Sequence, residues 1–98
     1  MATEKLFDLE ERTAKFGERV LQFVKKIEPD HITRPLVTQL VKSATSIGAN
    51  YCEADNAESR EDFKHKMSIA KKEAKETMHW LRMIATAVPD KKDPARIL

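Results

Sequence analysis

Glycine is almost missing from this chain. Gly17 and Gly48 are the only two in 98 residues, so no glycine-rich phosphate loop exists. The single cysteine, Cys52, excludes an internal disulfide and gives no sign of an oxidising compartment. Its thiol reads as a small buried hydrophobe. Four prolines and few β-branched runs point away from sheet and towards an all-α fold. No apolar run approaches the ~20 residues of a membrane span. The N-terminal MATEKLFDLEER is too acidic and too periodic for a signal peptide, so the expected location is the cytoplasm. A net charge of +2 neither demands nucleic acid nor excludes it, because assembly multiplies charge. The length suits one domain, 1–98, near the lower end for a single core.

What is present centres on RPLVTQLVKSATSIGANYCEA, Arg34 to Ala54. From Pro35 to Cys52 only Lys42 is charged, in a chain charged at 35% of its positions, and a helix with one solvated side normally shows charge there. Three stripes take its place. Val37, Leu40, Ala44, Ile47, Tyr51 and Ala54 form an apolar stripe, and Val41, Thr45, Gly48 and Cys52 a small one. Gln39, Ser43, Ser46, Asn50 and Glu53 form a mostly uncharged polar one. A helix so composed is expected to be enclosed on more than one face. Two readings explain it: the centre of one small bundle, its hydroxyls bonding back to their own i−4 carbonyls, or a seam between subunits.

The first helix is expected over about 5–28, with Leu6, Leu9, Thr13, Phe16, Val20, Phe23 and Ile27 at three-and-four spacing. Gly17 inside it costs roughly 1 kcal/mol against alanine, which a close helix contact would justify. Pro29 and Asp30 end it. The second helix, about 34–55, has Pro35 in its first turn and Thr33 or Arg34 near its cap. The third, about 60–87, opens on a capping box of Ser59 and Asp62. Its seam is Phe63, Met67, Ala70, Ala74, Thr77, Leu81, Ile84 and Val88. A second stripe, Ile69, Glu73, Glu76, Trp80, Met83 and Ala87, carries an indole that should meet another surface. Pro89 stops this helix, and Asp93-Pro94 opens a stub over 94–98 that is one turn of a truncated fourth. The predicted architecture is an antiparallel up-down helical bundle with three long helices.

Candidate chemistry is sparse. Glu76 and His79 form a Glu-x-x-His, half of a di-iron bundle site; the chain's other Glu-x-x-His, Glu28 to His31, spans Pro29 where the first helix ends, so no second helix presents such a pair. The serines near Asn50 have no histidine nearby in sequence to act as base. No metal, cofactor or catalytic residue is assigned. Basic residues are the stronger signal: Arg12, Lys15, Arg19 and Lys26 on the first helix, and Lys64, Lys71, Lys75 and Arg82 on the third. Such rows serve either as solvated faces or as phosphate-binding stripes.

QLVKSATSIGANYCEA (Gln39 to Ala54) and EDFKHKMSIAKKEAKETMHWL (Glu61 to Leu81) closely resemble a family of four-helix bundles. That family groups the 23S rRNA intervening-sequence proteins with the accessory protein of diversity-generating retroelements. The first helix matches only in its apolar pattern. The family's recurring positions fall on Gln39, Ser43, Ser46, Asn50, Glu53, Phe63, Ala70, Glu73, Glu76 and Leu81. Two departures stand out: the one-turn fourth helix, and Tyr51-Cys52 where a small aliphatic pair is usual. The resemblance implies a homo-oligomer, a pentamer in the relatives, with a basic surface for RNA or DNA and a reverse transcriptase as partner.

The expected function is therefore a non-catalytic oligomeric adaptor for nucleic acid or a nucleoprotein. The alternative is a protein-interaction scaffold whose charges serve solubility alone. Gln39, Ser43, Ser46, Gly48, Asn50, Glu53, Glu73, Glu76 and Trp80 are the expected helix or subunit contacts.

Overall fold

The computed structural model describes residues 2–88, with side chains from Asp8 onward. Three helices and no strand make up the described residues: α1 (Ala2–Val24), α2 (Thr33–Asp55) and α3 (Arg60–Ala87). The expected stub at 94–98 lies outside them. Among the described residues, no helix is long and apolar enough to cross a membrane.

α1 ends at Val24, four residues before the expected Glu28. The amides of Lys26 and Ile27 reach back only three residues, to Phe23 and Val24 (both 3.1 Å), so the helix tightens before Pro29 requires extended backbone.

The start of α2 is set by a residue the sequence reading treated only as a breaker. The Asp30 carboxylate accepts from the N–H groups of Ile32 and Thr33, both at 2.8 Å. In return Thr33 Oγ1 accepts the Asp30 N–H at 2.9 Å and donates to the Glu28 carbonyl at 3.1 Å. This loop therefore satisfies the free amides of the helix start itself, and neither Thr33 nor Arg34 is the cap. The start of α3 follows expectation, with Ser59 Oγ accepting from the Asp62 N–H at 3.0 Å.

Contacts between helices give the register. A methyl built on Gly17 would sit 3.8–3.9 Å from Ala44 and Thr45, and one on Gly48 would sit 3.2 Å from Thr13 Oγ1. Thr77 meets Ser43, and Lys66 meets Glu53. Rising numbers on one helix pair with falling numbers on the next, so both neighbours run antiparallel to α2. No Cα of α1 comes within 8 Å of one in α3. α2 is thus the central helix, with its small stripe against α1 and part of its polar stripe against α3. The molecule is correspondingly long, 45 × 23 × 16 Å.

Val20, Ile27, Leu40, Ala44, Leu81 and Ile84 form the core at the α1–α2 loop end, with Phe16, Phe23, Leu36, Val37 and Trp80 packed around them. Leu40, Ile84 and Val20 have no exposed surface, and full burial of such a side chain contributes roughly 1.5–3 kcal/mol. Towards the other end the core thins, and the seam residues Leu9 and Phe63 are 41% and 37% exposed. Trp80 is half-buried and meets the His79 ring edge-on at 4.8 Å. Its indole N–H is buried and finds no acceptor among the described residues.

Candidate nucleic-acid interface

At about 100° per residue, Lys64, Lys71, Lys75 and Arg82 fall within about 20° of one line on α3. Arg60, Ser68 and Met78 fall within about 40° of it. All seven are exposed. The row runs from Lys64 to Arg82 over roughly 27 Å, at 1.5 Å per residue, on the side of α3 turned away from Leu81, Thr77 and Ala70. Asp62, Glu73 and Glu76 lie at least about 100° around the helix from that line and are half-buried, while the exposed Glu61 lies about 60° from it at the row's N-terminal end. Neither an ion pair nor a side-chain hydrogen bond ties up any of the four cations among the described residues. Their field is therefore available to an anion.

The first-helix cations are placed differently. Arg12 pairs with Asp8 at 3.4 Å, and Lys15 lies 3.9 Å from Glu11, both one turn back and well exposed. Pairs of this kind stabilise a helix by only about 0.3–0.5 kcal/mol, but they partly cancel the charge an external phosphate would meet. Arg19 is exposed on α1 and Lys26, expected on the same helix, is exposed in the turn just past its end, neither with a carboxylate partner among the described residues. α1 and α3 flank α2 on its two sides, so the two basic rows form separate surfaces rather than one patch.

The expected contact residues divide between helix crossings and surface. Ser43 is buried and meets Thr77 Oγ1 at 3.0 Å. Gly48 packs on Thr13, and Glu53 Oε1 lies 2.7 Å from Lys66 Nζ. The last contact holds the Lys66 ammonium above its ordinary range. Ser46 and Asn50 turn back on their own helix, Ser46 donating to the Lys42 carbonyl at 2.6 Å and Asn50 to that of Ser46 at 2.9 Å. Thr38 and Thr45 do the same, to Arg34 and Val41. Gln39 is exposed, while Glu73, Glu76 and Trp80 are half-buried. Cys52 is not the buried thiol expected: it is half-exposed, with Sγ 3.8 Å from Glu10 Oε1. Burial first, and the Glu10 charge second, raise its pKa.

Arg60 and Met78 join the α3 row without having been singled out in the sequence. Arg60 is one turn before Lys64, so extending the same spacing backwards finds it. Met78, 51% exposed, shows only by being apolar on a face that is otherwise charged. Among the described residues no three His, Cys, Asp or Glu side chains come together as a metal site would need.

No curated protein matches the chain. Among solved structures, it resembles a crystal structure of a protein with unknown function from the S23 ribosomal protein family of Bacteroides thetaiotaomicron VPI-5482. The two are 30% identical with a TM-score of 0.60, over 99% of this chain and 84% of the other. The model of the 23S rRNA-intervening sequence protein family matches residues 7–88, spanning all three helices but for the first residues of α1, and the chain belongs to that family.

Proposed function

We propose that this protein is a non-catalytic, homo-oligomeric adaptor that binds RNA through the outer face of α3. The row of Lys64, Lys71, Lys75 and Arg82, bordered by a single exposed acid on α3, Glu61, carries the reading, because four unpaired cations along one exposed line match a polyanion better than a solvated mixed-charge face. Arg60 extends the row, and the α1 cations, half-neutralised by their own helix, contribute less. RNA is favoured over DNA because the family is named for an rRNA intervening sequence. A pentamer, and a reverse transcriptase as protein partner, belong to the same reading through the resemblance of Gln39–Ala54 and Glu61–Leu81. No aromatic side chain stands in the row, so base stacking is not offered and binding is sequence-tolerant.

Anisotropy of a labelled RNA, titrated at several salt concentrations, tests this. Four phosphate contacts predict a slope of log K against log salt of about −3 for single strands and about −3.6 for duplex DNA. Replacing Lys64, Lys71 and Lys75 by glutamine should flatten the single-strand slope towards about −0.7, the value for one remaining contact, with helicity unchanged. An absence of binding at low salt would leave the scaffold reading in its place.

A further inference from the structure

Ser68 stands inside the basic row of α3, with Lys64 four residues before it and Lys71 three after. Helical hydroxyls elsewhere in the chain turn back on their own carbonyls, as Thr38, Thr45, Ser46 and Thr86 do. Among the serines and threonines from Asp8 to Val88, Ser68 alone has no hydrogen-bond partner. Its hydroxyl is exposed and can both donate and accept. The row therefore combines long cationic arms with one short neutral group at their base. A lysine ammonium, on its flexible stem, reaches a phosphate held away from the helix. A serine reaches only an atom that comes down to the helix surface.

Two features of this face select the form of the nucleic acid. It is the convex outer side of one helix and holds its cations on a straight line, whereas single strands are gripped in grooves where bases stack on aromatic rings. No phenylalanine, tyrosine or tryptophan lies within about 60° of the line, Phe63 being the nearest at about 100°. His79, about 60° from it, meets the ring of Trp80 instead. A duplex asks for no stacking, because its bases are already paired and its phosphates stand on the outside of a stiff rod. In double-stranded RNA the wide, shallow minor groove displays 2′-hydroxyls between its phosphate edges, where a short side chain can touch them. Deoxyribose has no such group, and the minor groove of B-form DNA is narrow.

We infer that α3 lies across the minor groove of double-stranded RNA, its lysines on the phosphates at the edges and the Ser68 hydroxyl bonded to a ribose 2′-hydroxyl between them. Lys64 and Lys71 stand about 6 and 4.5 Å along the axis on either side of Ser68, so a backbone held by both passes over the hydroxyl. This deepens the RNA reading proposed above and rests on it. The cations supply affinity, and Ser68 supplies the preference for ribose over deoxyribose. No base edge is touched, so the preference holds for any duplex sequence.

Three probes of one sequence, about 16 nucleotides or base pairs long, test this by anisotropy at one low salt concentration: double-stranded RNA, double-stranded DNA and the single RNA strand. Wild type is expected to favour the RNA duplex over both others. Ser68→Ala should weaken binding to the RNA duplex by roughly 2–10-fold, the worth of one hydrogen bond, and leave the DNA duplex unaffected. Ser68 is exposed and alanine is the better helix former, so circular dichroism should report unchanged helicity. Single-stranded RNA that binds as tightly as the duplex overturns the duplex assignment and leaves RNA binding by the row standing. Equal affinity of wild type for the two duplexes, or a Ser68→Ala variant that keeps the RNA preference, overturns the role of Ser68 alone. If wild type binds none of the three, the RNA reading itself falls and this inference with it.

Discussion

The hydroxyls of Ser43 and Thr77 meet at 3.0 Å where α2 crosses α3, and both residues are almost wholly buried. Each hydroxyl also has a carbonyl on its own helix, Leu40 at 3.2 Å from Ser43 and Glu73 at 2.8 Å from Thr77. Each can donate to its own helix when the other is removed, so a single deletion does not strand a donor. Ser43→Ala or Thr77→Val should therefore cost about 0.5–1.5 kcal/mol, the net worth of a hydrogen bond rather than the penalty of an unpaired one. The double variant should cost less than the two singles added, because they share the bond. Urea denaturation of all four proteins measures the difference.

The two glycines should respond oppositely to enlargement. A methyl on Gly17 finds its nearest neighbours at 3.8 Å, ordinary contact distance, so Gly17→Ala removes a poor helix former at no steric cost. A gain of up to about 1 kcal/mol is expected. At Gly48 the methyl meets Thr13 Oγ1 at 3.2 Å, so much of that gain is lost as Thr13 shifts. Gly48→Leu drives a branched side chain into α1 and should cost about 1–3 kcal/mol. Thermal melts of the three variants give the order.

Asp30 makes α2 sensitive to acid. The Thr33 amide first, then that of Ile32, hold its carboxyl below the ordinary 3.8. A depressed acid adds stability that is complete above its unfolded value and is lost as pH falls through the folded one. The stability gap between wild type and Asp30→Ala should thus be constant from neutral pH to about pH 5, then narrow steadily below 3.8. Denaturant midpoints for both proteins across that range are the measurement.

Cys52 should be slow to alkylate. Its raised pKa leaves less thiolate near neutrality than a free cysteine has, and thiolate is the reacting form. Native protein should react with iodoacetamide more slowly than urea-unfolded protein at the same pH. Glu10→Gln should speed the native reaction, since it removes the neighbouring negative charge.

Most of the helical frame was legible in the residues. α3 begins and ends where Ser59, Asp62 and Pro89 indicate, because caps and proline act through their nearest neighbours. The three stripes of α2 were equally readable, but which helix each would meet was not. Ser43 finds Thr77 34 positions away, and nothing local encodes that pairing. The early end of α1 was missed because periodicity continues to Ile27, which is buried although the helix has already stopped. Heptad position also overstated burial at Leu9 and Phe63, where too few neighbours remain to cover the seam. The basic residues of both helices were found in sequence. The pairing of Arg12 and Lys15 was legible too, since Asp8 and Glu11 stand four residues before them, but that the two basic rows face away on different helices was not.

Because the backbone of α1 lies close to α2 alone and reaches α3 only through the shared core of Val20, Leu81 and Ile84, it is an arm laid on a hairpin. Lifting that arm uncovers Leu81 and Ile84 at the shared core but leaves the more extensive α2–α3 backbone contact in place. Its amides should exchange with deuterium before those of α2 and α3, through an opening smaller than global unfolding.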